Sequence, residues 1–168
     1  MFESEYYFYG SHKEKLFYLA KDKGVEREDS INIFQRVVDV LIMAPLVGLI
    51  YNRKSKPEPS STNKSTVFPS TIKNERSKLI FVYRIVMLLD SRNELSKQER
   101  LDRAFRYDND PKKTEENMKL FNEYVLGGID YLYDHFKDDY GNREKILEDI
   151  ASLLELERLY DENIDDKY

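Results

Sequence analysis

The chain has 168 residues, 40% of them hydrophobic and 35% charged, with 9 Phe and 13 Tyr. That is enough apolar side chain for one core-bearing domain and excludes wholesale disorder. The absence of cysteine and the presence of only two histidines, His12 and His135, exclude a disulfide scaffold, a zinc ribbon, thiol catalysis and a multi-histidine metal site, and no cofactor is expected. The net charge of −5 is unevenly spread. Residues 1–106 hold 19 Lys/Arg against 14 Asp/Glu, a net of +5, and residues 107–168 hold 8 against 18, a net of −10. Phosphate contact is therefore expected from the N-terminal part, while the C-terminal part repels nucleic acid.

Tyr6-Tyr-Phe-Tyr9 is an aromatic cluster suited either to docking on another surface or to covering helices as an N-terminal arm. Ser11-His-Lys-Glu14 has the spacing of a capping box, and Gly24 is placed to end the helix it opens, whose apolar face is Leu16, Phe17, Leu19 and Ala20. Asp29-Ser30 predicts a second start, after which Ile31, Phe34, Val37, Val38, Leu41 and Ile42 recur at helical spacing. Pro45 is expected to kink or end this helix, and Gly48 to weaken it further.

Residues 52–69 read as a mobile basic loop. They carry Pro57, Pro59 and Pro69, a Ser/Thr-rich run and little apolar anchor. A helix over roughly 70–90 is apolar on nearly every side, which predicts a central, buried position. Ser96-Lys-Gln-Glu99 is a second capping box, and Asp110-Pro111 is an N-cap with proline at the first helical position. The helix it starts carries Met118 to Phe136 and is interrupted by Gly127-Gly128. Ile146, Ile150, Leu153 and Leu154 stripe a last helix, followed by an acidic tail over 161–168. No alternating strand pattern stands out. The expectation is an all-α, single compact domain over 1–168, with five to six helices and one long basic loop.

Few constellations could carry chemistry. Asp39 and Arg84 are each the only charge in an apolar stretch, so each needs a partner, and a buried ion pair between them is the expected structural role. Gly127 and Gly128 would each cost about 1 kcal/mol relative to alanine inside a helix, which predicts close helix–helix or helix–ligand approach. They lack the lysine and hydroxyl of a P-loop. Arg53, Lys54 and Lys56 open the basic loop, and Arg100, Arg103 and Arg106 form a basic edge expected to face outward; these six are the candidate contacts to a partner or to phosphate. Few aromatic residues interleave the basic loop for base stacking, which argues against a dedicated single-strand binder. Asp108-Asn109-Asp110 begins like a calcium loop, but Lys112 and Lys119 fall at ligand positions.

Three segments carry a family resemblance: Ala44-Pro-Leu-Val-Gly48-Leu-Ile-Tyr-Asn-Arg53-Lys54, the helix Leu79–Leu89, and Leu120-Phe-Asn-Glu-Tyr124-Val-Leu-Gly127-Gly128-Ile-Asp-Tyr-Leu132. Together they resemble the fourth family of small proteins associated with bacterial DNA phosphorothioation loci. These are packing motifs, so no catalytic residue carries over. The resemblance implies an accessory protein of a bacterial anti-phage defence or DNA-modification locus. Together with the lack of a recognisable site, the charge dipole and the glycine-marked packing, it leads to the expectation of a non-enzymatic subunit docking on a larger ATPase or nuclease, with nucleic acid reached through those partners. A nucleic-acid-binding regulator using the basic loop is the alternative. Met1 to Tyr6 lacks the features of a signal peptide, and the longest uncharged apolar run, Val40 to Tyr51, falls well short of the ~20 residues that span a bilayer. No membrane contact and a cytoplasmic address are expected.

Overall fold

A computed structural model describes residues 1–21, 32–58, 61–90, 95–138 and 144–149. Among the described residues the protein is mostly helical, with one two-stranded ribbon. Strand β1 (Tyr6–Tyr9) leads directly into α1 (Gly10–Leu19), and α2 (Val37–Ile50) follows. Strand β2 (Lys64–Val67) precedes the short α3 (Pro69–Asn74), then α4 (Arg76–Leu89), α5 (Lys97–Phe105), a 3-10 turn at Tyr107–Asn109, and α6 (Pro111–Phe136). Helical backbone continues at 144–149, where Ile146 packs on the core.

The organising element is α6. Asp110 accepts from the Lys113 amide and Pro111 occupies the first turn, so the helix starts where its sequence signals place it. Its 26 residues extend about 39 Å. Along it lies α2, the most extensive pairing in the fold, while α1 covers another side and α4 packs on α2. Their shared core is built from Phe8, Leu16, Leu41, Leu79, Val86, Phe121, Tyr124 and Ile129, all fully buried, with Phe2 meeting both Tyr83 and Phe121 edge-on.

Several expectations about boundaries are corrected. Helix α1 starts at Gly10, without a side-chain cap: Ser11 turns to Glu58 instead, and its capping box does not form. Helix α2 starts at Val37, so Phe34 is not helical; it pairs in parallel with Ala20. Pro45 does not end α2, because the helix continues to Ile50. The expected helix over 70–90 divides at Glu75, where the short α3 gives way to α4. Gly24, Asp29, Ser30, Ile150, Leu153, Leu154 and the tail 161–168 lie outside the described residues.

The basic loop is also corrected, since it is neither featureless nor unanchored. Within it β2 pairs antiparallel with β1, in the register Tyr6↔Val67 to Tyr9↔Lys64. A two-stranded ribbon is marginal by itself. Here Phe8 and Val67 are buried in the core, and burial of a side chain such as Phe8 contributes about 1.5–3 kcal/mol. The aromatic cluster thus serves as an arm over the helices, with the Tyr6 hydroxyl donating to Asn122 of α6 at 2.9 Å.

Candidate functional site

The strap over Tyr51–Glu58 crosses α6 where three glycines let backbones meet. A Cβ at Gly128 would lie 1.8 Å from the Ala44 carbonyl oxygen, and one at Gly48 would lie 2.4 Å from that of Tyr124. At Gly127 it would meet the Arg53 carbonyl oxygen at 2.2 Å. Helices α2 and α6 can approach this closely only without side chains at these positions. The Arg53 amide donates to Gly48 at 2.7 Å and the Ser55 amide to Glu123 at 3.0 Å, so the strap's path is set by backbone bonds. Asn52 turns it with φ +55°.

The six candidate cations separate in this frame. Lys54 points inward, its ammonium 4.7 Å over the Tyr124 ring and 3.6 Å from Asp90 Oδ1. Asp90 is buried at the end of α4 and accepts from the Tyr124 hydroxyl at 2.6 Å and from Arg103 at 3.2 Å. Burial raises the Asp90 carboxyl, but Tyr124, Lys54 and Arg103 together outweigh it and hold the group below the usual carboxylate range. Arg103 is corrected from an outward basic residue to a buried one, 7% exposed. Its guanidinium also donates to the carbonyls of Met87 and Asp90, and Arg100 donates to that of Leu88 at 3.3 Å. The two arginines thereby satisfy the last carbonyls of α4, at the helix end where cations are favoured. Arg106 is exposed and pairs with Asp102 one turn back. Arg53 and Lys56 keep exposed side chains and, among the described residues, have no ion-pair partner.

A second polar cluster joins α1, the strap and α6. Lys15 lies 2.6 Å from Asp130 Oδ1, Ser55 donates to Oδ2 of the same carboxylate, and His12 Nε2 sits 3.4 Å from Oδ1. Burial raises Asp130, yet His12, Lys15 and Ser55 together hold it well below the ordinary carboxylate range. His12 Nδ1 faces Glu58 at 3.9 Å on the opposite edge of the ring. Two carboxylates on opposite edges of one imidazole cannot share a metal ion with it, and among the described residues no group of His, Asp and Glu is arranged to hold one.

The Asp39–Arg84 pair is corrected as well. Asp39 sits in the first turn of α2 and is held by Arg36 at 2.5 Å, with Arg36 also reaching Glu75 at 2.7 Å. Arg84 lies on the outer face of α4, 3.4 Å from Asp108 and over the Phe105 ring. Neither is buried, so neither requires the other. Asp110 caps α6 and Asp108 serves Arg84, so the acidic run there has structural occupants.

Helix α4 is not central. Leu79, Val82, Tyr83, Val86 and Met87 face the core, whereas Phe81 and Leu89 are 65% and 60% exposed. Ile85, half-buried, lies between them at i+4 spacing on the same outward face, whereas Leu88 packs partly against the core. Leu101 and Phe105 of α5 are also exposed, and the Arg84 guanidinium stacked on Phe105 joins the two helices at this surface.

Asp90, Tyr124, Asp130 and His12 were not among the sequence candidates. The available signal was a single charge closing or interrupting an apolar run: Asp90 directly after Leu89, and Asp130 directly after Gly127-Gly-Ile129. No helix among the described residues is long and apolar enough to cross a membrane. Comparisons of the chain with protein-family models, curated proteins and solved structures find no match.

Proposed function

We infer that this chain is a non-catalytic helical docking subunit that offers the outer face of α4 and the adjoining edge of α5 to a larger protein. The observation carrying this reading is the second apolar face of α4, where Phe81 and Leu89 stay exposed with nothing in the chain covering them among the described residues. Single exposed apolar residues are ordinary, but a stripe along one helix, continued by Leu101 and Phe105, is the composition of an interface core. The carboxylates of Asp90 and Asp130 are matched by cations within the fold and hold elements together, and among the described residues no convergent set of groups is aimed at a substrate. The setting proposed for it is the cytoplasm, in a bacterial anti-phage defence or DNA-modification complex with an ATPase or nuclease as partner, and rests on the family resemblance of residues 44–54, 79–89 and 120–132.

Co-expression with the products of neighbouring genes tests this. The chain is expected to co-purify with one of them and to remain bound at moderate salt. Phe81→Glu and Leu89→Glu, which alter only exposed positions, should fold normally by circular dichroism and lose the partner. Retention of the partner by both α4 variants overturns the reading.

A further inference from the structure

The docking surface leaves one feature on another part of the molecule unused, a column of parallel rings beside the strap. Tyr51, just after α2, stacks on Tyr131 of α6 with ring centroids 4.0 Å apart and planes 13° from parallel. His135, one helical turn further on, lies parallel to Tyr131 within 9°, offset to a centroid distance of 6.0 Å. Next to the column Arg53 has its backbone clamped, its amide on Gly48 and its carbonyl against Gly127, while its guanidinium stands exposed. Burial and the Tyr51 hydroxyl push the Tyr131 phenol up to about 12, and the nearby Arg53 charge pulls it the other way. Lys56, also exposed, follows on the same strap.

We propose that the Tyr51–Tyr131–His135 column, with Arg53 at its side, is a stacking subsite for the unpaired bases of single-stranded nucleic acid. Gluing the end of α2 to α6 accounts for the Tyr51–Tyr131 contact. It does not account for the exposed His135, which extends the column and meets the Phe136 ring edge-on, nor for Arg53 beside it, which has no ion-pair partner among the described residues. Tyr51 and Tyr131 are half-buried, and the exposed His135 ends the parallel stack where a flat ligand can join it; every base has a π-face, so such a platform is tolerant of sequence. A duplex buries those faces in its own stack. The charges set the direction of the bound strand. Asp134, paired with Lys137 at 3.4 Å, and the exposed Asp138 flank His135, so that end takes a base and disfavours phosphate, and the backbone phosphate falls to Arg53 and Lys56. This goes beyond the docking reading and does not depend on it, since the column and the outer face of α4 share no residue.

Fluorescence anisotropy on the full chain, with a labelled twelve-nucleotide oligo(dA) and the matching duplex, tests the assignment. The single strand is expected to bind saturably and more tightly than the duplex. His135→Ala, at an exposed position, should weaken binding about fivefold or more, and His135→Tyr should restore it. Arg53→Ala should weaken binding and reduce the slope of log affinity against log salt by about 0.7. Arg106→Ala, away from the column, should change nothing. Absence of single-strand binding by the folded protein, a preference for duplex, or unchanged binding by His135→Ala overturns the proposal, and none of these outcomes bears on the co-purification test of the α4 surface.

Discussion

At the scale of single residues, the charges that matter to stability are those that close helix ends. Arg103 is buried against Asp90 and the terminal carbonyls of α4, and the Tyr124 hydroxyl completes the carboxylate's partners. Removing Asp90 leaves the buried Arg103 without its carboxylate, and removing Arg103 takes from the buried Asp90 the nearer of its two cations, Lys54 lying 3.6 Å away. Arg103→Ala or Asp90→Ala is therefore expected to cost about 3–5 kcal/mol in urea denaturation. Tyr124→Phe, which removes one bond to a charged group, should cost about 1.5–3 kcal/mol. Asp39→Ala and Arg84→Ala break exposed pairs and should each cost no more than about 1 kcal/mol. Large losses at Asp39 or Arg84, with small ones at Arg103, would contradict this assignment.

At the scale of elements, the crossing of α2 over α6 is the joint on which the strap depends. The neighbours of Gly128 are backbone atoms of Ala44, which cannot rotate away as a side chain would. Gly128→Ala gains helix propensity worth about 1 kcal/mol but forces the two helices apart. A net loss of about 3 kcal/mol or more is expected from thermal or urea unfolding. Gly127→Ala should act through the strap, displacing the Arg53 carbonyl, and should speed hydrogen exchange at the Arg53 and Ser55 amides before it lowers global stability. Wild-type stability in Gly128→Ala would mean that the helices are not in contact there.

At the scale of the whole molecule, the two polar clusters predict the acid limb of stability. Asp90 and Asp130 both ionise more readily in the folded protein than the usual carboxylate, for which the unfolded value is about 3.9. A depressed folded value contributes stability that is fully present well above the unfolded value. That stability is lost as pH falls from about 4 through the depressed folded values, where the unfolded chain binds more protons than the native one. Urea midpoints should thus be level near neutral pH and drop below about pH 4. Asp130→Asn should flatten that drop while lowering stability at pH 7, because Lys15 and Ser55 lose their charged acceptor. An acid limb as steep in Asp130→Asn as in wild type would show that this carboxylate is not the group concerned.

Helix class and several starts were legible in the chain because they rest on local chemistry. Asp110-Pro111 and Ser96–Glu99 cap their helices from within four residues, and both caps form. Gly127-Gly128 marked a close approach because only contact offsets their helical cost, though the chain did not reveal that Ala44 and Arg53 are what they meet. Composition gave no way to orient α4: a helix apolar on both faces reads the same whether the second face meets a core or solvent, and only packing assigned Phe81 and Leu89 to the outside. Pairing was equally out of reach. Asp39 and Arg84 looked solitary in sequence, but Arg36 and Asp108 approach them from flanking turns, while Arg103, one of three arginines at helical spacing, is the one turned inward by Asp90. The strand Lys64–Val67 pairs with residues 55 to 61 positions away, and the ring column gathers Tyr51 from one helix end and His135 from another helix. Local sequence determined which segments become helices. Long-range contacts, whose energy depends on which faces meet, decided which charges are buried and which rings are left in the open.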